Sequence, residues 1–317
     1  MAEAEVGDDG FGDDPTVAEL EEAYAAWVGK PAALFVPSGV MANQVALRLL
    51  TQPGDVVVAG ALHHVVAYEL GAAALNSGVQ FRTLDDASGV IDAVAVREAV
   101  GADAYHQPSV VLLALENSHM ASGGTPLTPA QIESLVVAGG GVPVHLDGAR
   151  LFNASVALGC TGADLAAAVT TVMSCMSKGL CAPVGSLLAG PEDLIAEGRN
   201  ERKRLGGTMR QAGIVAAAGL VGLRTMVDRL VDDHRRARRI AEVVAETVAK
   251  DFDPARCRTN IVAFDHPDAD GVVDALEAQG VLADTVAPGR VRLVTHADID
   301  DAALDVTVAA LAALAAG

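Results

Sequence analysis

The sequence predicts an α/β fold: a mainly parallel, helix-covered sheet of seven strands, followed by a smaller C-terminal α/β domain. Three observations carry this reading. Short β-branched runs alternate with Ala- and Leu-rich stretches of helical length. The runs are apolar at almost every position, as strands buried on both faces are. The 317-residue chain is 51% hydrophobic but only 3% aromatic, which suits helices on a sheet better than a β-sandwich.

The expected strands are Ala33–Val36, Asp55–Ala59, Gln80–Leu84, Val110–Leu115, Val142–Leu146, Thr170–Cys175 and Ser186–Ala189. Segments of helical pattern lie between most of them, among them Val40–Leu50, Ala93–Val100 and Pro129–Val137. A long helix is expected over Gln211–Val231 and another over His234–Lys250. After Phe252-Asp253-Pro254 the order changes: strand Thr259–Phe264, helix Gly271–Gln279, strand Val291–Val294 and a final Ala-rich helix, Ala302–Ala316. The large domain is thus expected over 15–232 and the small one over 233–317, after an N-terminal arm of 1–14.

The formal charge of −19 argues against a general affinity for nucleic acid or an anionic membrane. The one basic run, Arg235-Arg236-Ala237-Arg238-Arg239, reads as the solvated face of a helix. No leading stretch has the order of a signal peptide, and the longest apolar run, Ile214–Gly222, is too short to span a bilayer. Cys160, Cys175, Cys181 and Cys257 form no CxxC pair, as expected of thiols in a reducing cytoplasm.

The chemistry centres on Lys178. It is the only charged residue between Leu165 and Pro191, and it follows an expected strand end. Desolvation there favours the free amine needed for imine chemistry, although a lysine snorkelling from a surface loop fits the same pattern. Asp147 closes another expected strand 31 residues earlier, about one βαβ unit away, with Arg150 just beyond it. Ligands of open α/β sheets sit at carboxyl ends of strands, so both groups are expected in one crevice. A lysine and a carboxylate placed this way match a pyridoxal phosphate site. The lysine carries the cofactor, and the acid keeps its ring nitrogen protonated. Pro37-Ser38-Gly39 offers a strand–turn–helix for a phosphate, or an ordinary cap. Leu205–Arg210 offers further donors, with Arg210 a phosphate ligand or a plain surface arginine. His64, Glu116 and His119 follow strand ends, but they do not share a helix face, so no metal is expected. His63 and His296 read as structural.

Together, GDDGFGDDPTV (Gly7–Val17), Pro37-Ser38-Gly39, Glu116-Asn117-Ser118-His119, HLDGAR (His145–Arg150), Ser177-Lys178-Gly179-Leu180, PVGS (Pro183–Ser186), Met209-Arg210-Gln211 and RLVTH (Arg292–His296) resemble the low-specificity threonine aldolase family. That family belongs to the pyridoxal phosphate enzymes of aspartate-aminotransferase type, and the likeness spans essentially the whole chain. It implies that Lys178 holds the cofactor, Asp147 pairs with its pyridine nitrogen and His64 stacks on its ring. Ser38, Gly39 and Arg210 would serve the phosphate side. Arg150, at the cofactor's edge, and Arg292 would grip the substrate carboxylate. His119 would stand near the substrate hydroxyl, acting as base itself or through a water shared with His64.

The implied reaction cleaves threonine or allo-threonine to glycine and acetaldehyde in a homodimer or homotetramer, with active sites at a dimer interface. Several positions depart from the family pattern. Val40 and Cys181-Ala182 replace a threonine and Gly-Thr, Phe11 replaces a tyrosine, and Met120 an asparagine. The chain also starts after a usual leading segment, which makes residues 1–14 the remnant of an arm. Two other readings stay open: a β-eliminating lyase on another amino acid, and a non-catalytic scaffold.

Overall fold

A computed structural model describes residues 1–101 and 105–314. All seven strands expected in the large domain form: β1 (Ala32–Val36), β2 (Val56–Gly60), β3 (Gln80–Leu84), β4 (Val110–Glu116), β5 (Val144–Asp147), β6 (Thr171–Cys175) and β7 (Ser186–Gly190). They make one sheet in the order β1-β7-β6-β5-β4-β2-β3. β7 runs antiparallel to both β1 and β6, and the other pairs are parallel. The carboxyl ends of β1, β2, β4, β5 and β6 therefore share one edge.

Alternation along the strands feeds two cores. Ala33 and Phe35 of β1 face helices Pro15–Val28 and Gly213–Thr225, while Leu34 and Val36 face Gly39–Leu50 and Glu192–Arg204. Helix Pro15–Val28, which the apolar pattern did not mark, has strong end signals. Asp14 caps it, accepting from the Val17 N–H at 3.0 Å, Pro15 opens it, and Gly29 closes it at φ 65°. The other Asp14 oxygen accepts the Gly213 N–H at 2.8 Å, so one carboxylate holds the starts of two packed helices.

The long helix expected over Gln211–Val231 is two. Gly213–Thr225 stops, and Leu230–Thr247 begins before the expected His234. The buried stripe Leu230, Asp233, Ala237, Ile240 and Val244 explains this start. Asp233 hid the stripe because a charge reads as surface, yet it is fully buried against Arg229. Residue 233, the expected start of the small domain, lies in the first turn of this helix.

The small layer holds β8 (Ile261–Asp265), β9 (Asp284–Ala287) and β10 (Arg290–Val294), antiparallel in the order β8-β10-β9. Helices Leu230–Thr247, Ala269–Glu277 and Asp301–Leu314 cover it. β9, a short edge strand with no fully buried residue, was not anticipated. Residues 315 and 316 of the expected final helix lie outside the described residues. Among the described residues no helix is long and apolar enough to cross a membrane.

Candidate active site

A cleft of about 270 Å³ opens at the carboxyl edge of the large sheet. Ser38 and Gly39 line it from the end of β1, His64 from beyond β2, Asp147 from β5 and Lys178 from beyond β6. Five of the residues singled out in the sequence thus meet in one place. Ser38 caps helix Gly39–Leu50, its Oγ accepting the Met41 N–H at 3.2 Å. The Gly39 and Val40 amides have no backbone partner among the described residues and point from a helix start, a setting that favours an anion. Gly39 must be glycine, since a Cβ there would meet Cys175 Sγ at 2.8 Å.

Asp147 is 4% exposed. Its Oδ1 accepts the Ala149 N–H at 3.0 Å and its Oδ2 accepts Asn43 Nδ2 at 2.7 Å. Lys178 is half-buried, because the apolar segment ends at Met176, and its ammonium takes no hydrogen bond or ion pair among the described residues. The turn that carries it passes through Cys181 at φ 60°, a left-handed conformation that favours glycine. Cys181→Gly is therefore expected to stabilise the fold by about 0.5–1 kcal/mol after the added unfolded-state entropy of glycine. The urea midpoint measures this, and an unchanged or lower midpoint contradicts it.

His64 donates its backbone N–H to Glu116 Oε2 at 2.5 Å, and its Nδ1 lies 3.0 Å from Glu69 Oε1. Glu116 also accepts the Met120 N–H at 2.8 Å. Burial, then the nearby Asp147 charge, raises Glu116 above the usual carboxylate range. His119, which the resemblance implies near the substrate hydroxyl, does not itself line the cleft. It is fully buried and has both ring nitrogens engaged: Nε2 with Asp86 Oδ2 at 2.9 Å, Nδ1 accepting the Ser122 N–H at 3.2 Å. His63 sits beside it, Nδ1 accepting the Gly60 N–H at 3.2 Å and Nε2 3.8 Å from Asp86.

His63, Asp86 and His119 bring three potential metal-ligand atoms within 4.8 Å of one another, as do His64, Glu69 and Asp147. In the first set the backbone amides on both Nδ1 atoms leave the ring protons on Nε2, aimed at Asp86 where a metal would need lone pairs. Glu116, considered as a ligand beside His64 and His119, is in neither set.

These histidines give the fold a pH dependence. Burial pushes His145 and His234 down to about 4, and burial with the His119 charge pushes His63 the same way. Their contribution is complete above about pH 6.5 and is lost as pH falls toward 4, because the unfolded chain binds those protons first. Glu116, whose pKa is raised, loses its contribution as pH rises and opposes them in this range; His64, raised chiefly by its Glu69 hydrogen bond, loses its own contribution only above about pH 6.5. With three histidines against one carboxyl, stability is expected to fall on acidification between about pH 6.5 and 4. A urea midpoint that rises over that range contradicts the balance.

The three arginines divide. Arg150 is half-buried at the start of helix Leu151–Leu158, and its guanidinium has no hydrogen bond or ion pair among the described residues. Burial, and then the neighbouring Arg292 guanidinium, holds it below the usual arginine range. Arg292 lies 3.3 Å from Asp284 and 3.5 Å from Met120 Sδ. An unused guanidinium fork beside a second guanidinium has the chemistry to receive a carboxylate. Arg210 does not join them. It is exposed, pairs with Asp8 at 2.5 Å, and lines a separate pocket with Phe11 and Lys203.

The donor set fits pyridoxal phosphate. An unpaired amine, a buried carboxylate and free amides at a helix start line one cleft of small-molecule size, with a guanidinium pair nearby. Residues that the sequence reading missed hold this set in place: Asn43, Glu69 and Asp86. Asn43-Gln44, polar within the apolar helix Gly39–Leu50, was the one local sign.

The chain is 38% identical to low-specificity L-threonine aldolase of Escherichia coli K12 over 304 residues, 94% of this chain and 89% of that protein. It is 38% identical to low-specificity L-threonine aldolase 1 of Arabidopsis thaliana over 312 residues, 94% and 87% of the two. The solved threonine aldolase of Leishmania major has the same fold, with a TM-score of 0.83 at 20% identity, over 96% of this chain and 91% of that one. With these relatives, and with the sequence model of the beta-eliminating lyases matching residues 1–267, the chain belongs to the beta-eliminating lyase family, alongside the low-specificity threonine aldolases.

Proposed function

We propose that the protein is a pyridoxal-phosphate-dependent aldolase that splits L-threonine, L-allo-threonine and related β-hydroxy-α-amino acids into glycine and an aldehyde. One observation carries this reading most: Lys178 and Asp147 line the same cleft beside a helix start whose amides are free. When bound, pyridoxal phosphate supplies an electron sink for the pair released when Cα–Cβ breaks.

The chain's own residues do the rest. Lys178 holds the cofactor through its amine. Asp147, braced by Asn43 and Ala149, keeps a proton on the ring nitrogen. Ser38 and the amides of Gly39 and Val40 take the phosphate. Arg150 and Arg292 receive the substrate carboxylate and so orient Cα. His64 Nε2, which has no partner among the described residues, takes the β-hydroxyl proton directly or through a water. His119 acts from beneath, bracing Asp86 and the loop that holds His63 and His64.

The test is purified protein with pyridoxal phosphate and L-allo-threonine. Acetaldehyde and glycine in equal amounts are expected. Pyruvate from serine, with no glycine from allo-threonine, would instead make the protein a β-eliminating lyase.

Arg210 also supports a homo-oligomer. Its side chain is 71% exposed and outside its own cleft, and Phe11 beside it is 82% exposed. A second copy that covers this pocket would receive Arg210 at its own phosphate side. Sedimentation is expected to find a dimer or larger, and a monomer at enzyme concentrations with full activity contradicts it.

A further inference from the structure

We infer that Glu69 is a positioning residue that holds His64 with Nδ1 protonated and Nε2 free toward the cleft, where Nε2 receives the proton of a substrate hydroxyl. The role of Nε2 rests on the aldolase reading; the state of the ring does not.

His64 is fixed at two points, its backbone N–H on Glu116 and its Nδ1 on Glu69. Glu69, 5% exposed, collects side-chain donors: Asn43 Nδ2 at 2.7 Å and His64 Nδ1 at 3.0 Å on one oxygen, Gln44 Nε2 at 2.7 Å on the other. An ionised carboxylate only accepts, so the imidazole proton belongs on Nδ1. The neutral ring then has its lone pair on Nε2.

Asn43 sets this arrangement against Asp147. Its amide gives one hydrogen to Glu69 Oε1 and the other to Asp147 Oδ2, each at 2.7 Å. With both amide hydrogens on carboxylates, Asn43 Oδ1 is left to accept from His145 Nε2 at 3.0 Å, so that nitrogen carries the ring proton and His145 Nδ1 takes the Thr171 hydroxyl at 2.9 Å. A flipped Asn43 would aim its oxygen at two carboxylates. The carboxylate behind the histidine and the one facing the cleft are therefore held by a single amide.

The groups that face His64 are Glu69, Asp147 and Glu116, the Tyr68 ring at 5.8 Å, and the Lys178 ammonium in the same cleft. The Glu69 hydrogen bond is the largest influence raising its basicity, Asp147 and Glu116 add to it, and burial opposes it.

The test is a nitrogen-edited NMR titration of His64 in the cofactor-free protein, assigned with His64→Asn. In the wild type the Nδ1–H tautomer is expected, with a pKa above the ordinary histidine value. Glu69→Gln, which keeps size but loses charge, is expected to lower that pKa by about one unit or more. Glu69→Asp, which keeps the charge, should retain much of the shift, and thermal unfolding of each variant separates this from loss of fold. In the loaded enzyme the acid limb of kcat should move to lower pH by the same amount in Glu69→Gln, with KM little changed. An Nε2–H tautomer in the wild type, or an unmoved titration in Glu69→Gln, overturns the inference. A titration that moves as expected in a protein that forms no aldehyde keeps Glu69's role and removes the aldolase reading.

Discussion

Asp147→Asn is expected to lower kcat by about 10²–10³-fold, the scale of removing one preorganised electrostatic stabiliser. Two effects add. The substitution removes the negative charge that keeps the cofactor's ring nitrogen protonated, and it disturbs the network behind it. Asp147 Oδ2 accepts from Asn43 Nδ2, and an asparagine at 147 either turns a second amide donor on that hydrogen or turns its own NH₂ onto the Ala149 N–H. In either orientation a buried donor loses its acceptor. The cofactor should still attach, because Lys178 is untouched, so attachment with slow turnover is the diagnostic pattern. Asp147→Glu, which keeps charge but misplaces it, should fall between. Asp147→Asn with turnover near wild type would show that this carboxylate has no part in the chemistry.

The largest effect on stability is expected at Arg202. Its side chain is 2% exposed, lies 2.9 Å from Asp9, which is equally buried, and donates to the Phe35 carbonyl at 2.7 Å. Arg202→Ala leaves the Asp9 carboxylate buried without its partner, at a cost of about 3–5 kcal/mol. The consequence reaches function, because this pair docks the N-terminal segment on the last turn of helix Glu192–Arg204. The Asp9 N–H also bonds the Arg210 carbonyl at 2.9 Å, so loosening one loosens the other. Replacing both residues with apolar side chains of similar volume should recover most of the loss. Urea unfolding of the single and double variants measures this; equal losses in both would contradict the ion-pair account.

The inner strands of the large sheet were legible because burial on both faces leaves apolar runs such as Val56-Val57-Val58 and Val110–Leu115 with no polar interruption. β9 was not, since an edge strand such as Asp284-Thr285-Val286-Ala287 buries little and carries little pattern. The break before Leu230 was hidden by Asp233, whose partner Arg229 makes a charge behave as a core residue.

The site divides the same way. Lys178, Asp147, Ser38, Gly39 and His64 were readable as strand-end residues, and the topology brings them to one edge. Asn43, Glu69 and Asp86 were not readable, because their roles arise from contacts between distant segments. Asn43 meets Asp147 104 residues away, and Asp86 meets His119 33 residues away. His119 was legible as polar chemistry at a strand end, but its burial depends on how the loop after β4 folds back on Asp86.

The central claim is that the Lys178 amine and the Asp147 carboxylate serve opposite ends of one small ring. The most direct measurement is borohydride reduction of the protein mixed with pyridoxal phosphate, followed by peptide mapping. A cofactor fixed to the peptide containing Lys178, with the visible absorption band lost in Lys178→Ala, is the predicted result. A cofactor fixed only to Lys30, Lys203 or Lys250, or an absorption band that survives Lys178→Ala, would contradict it.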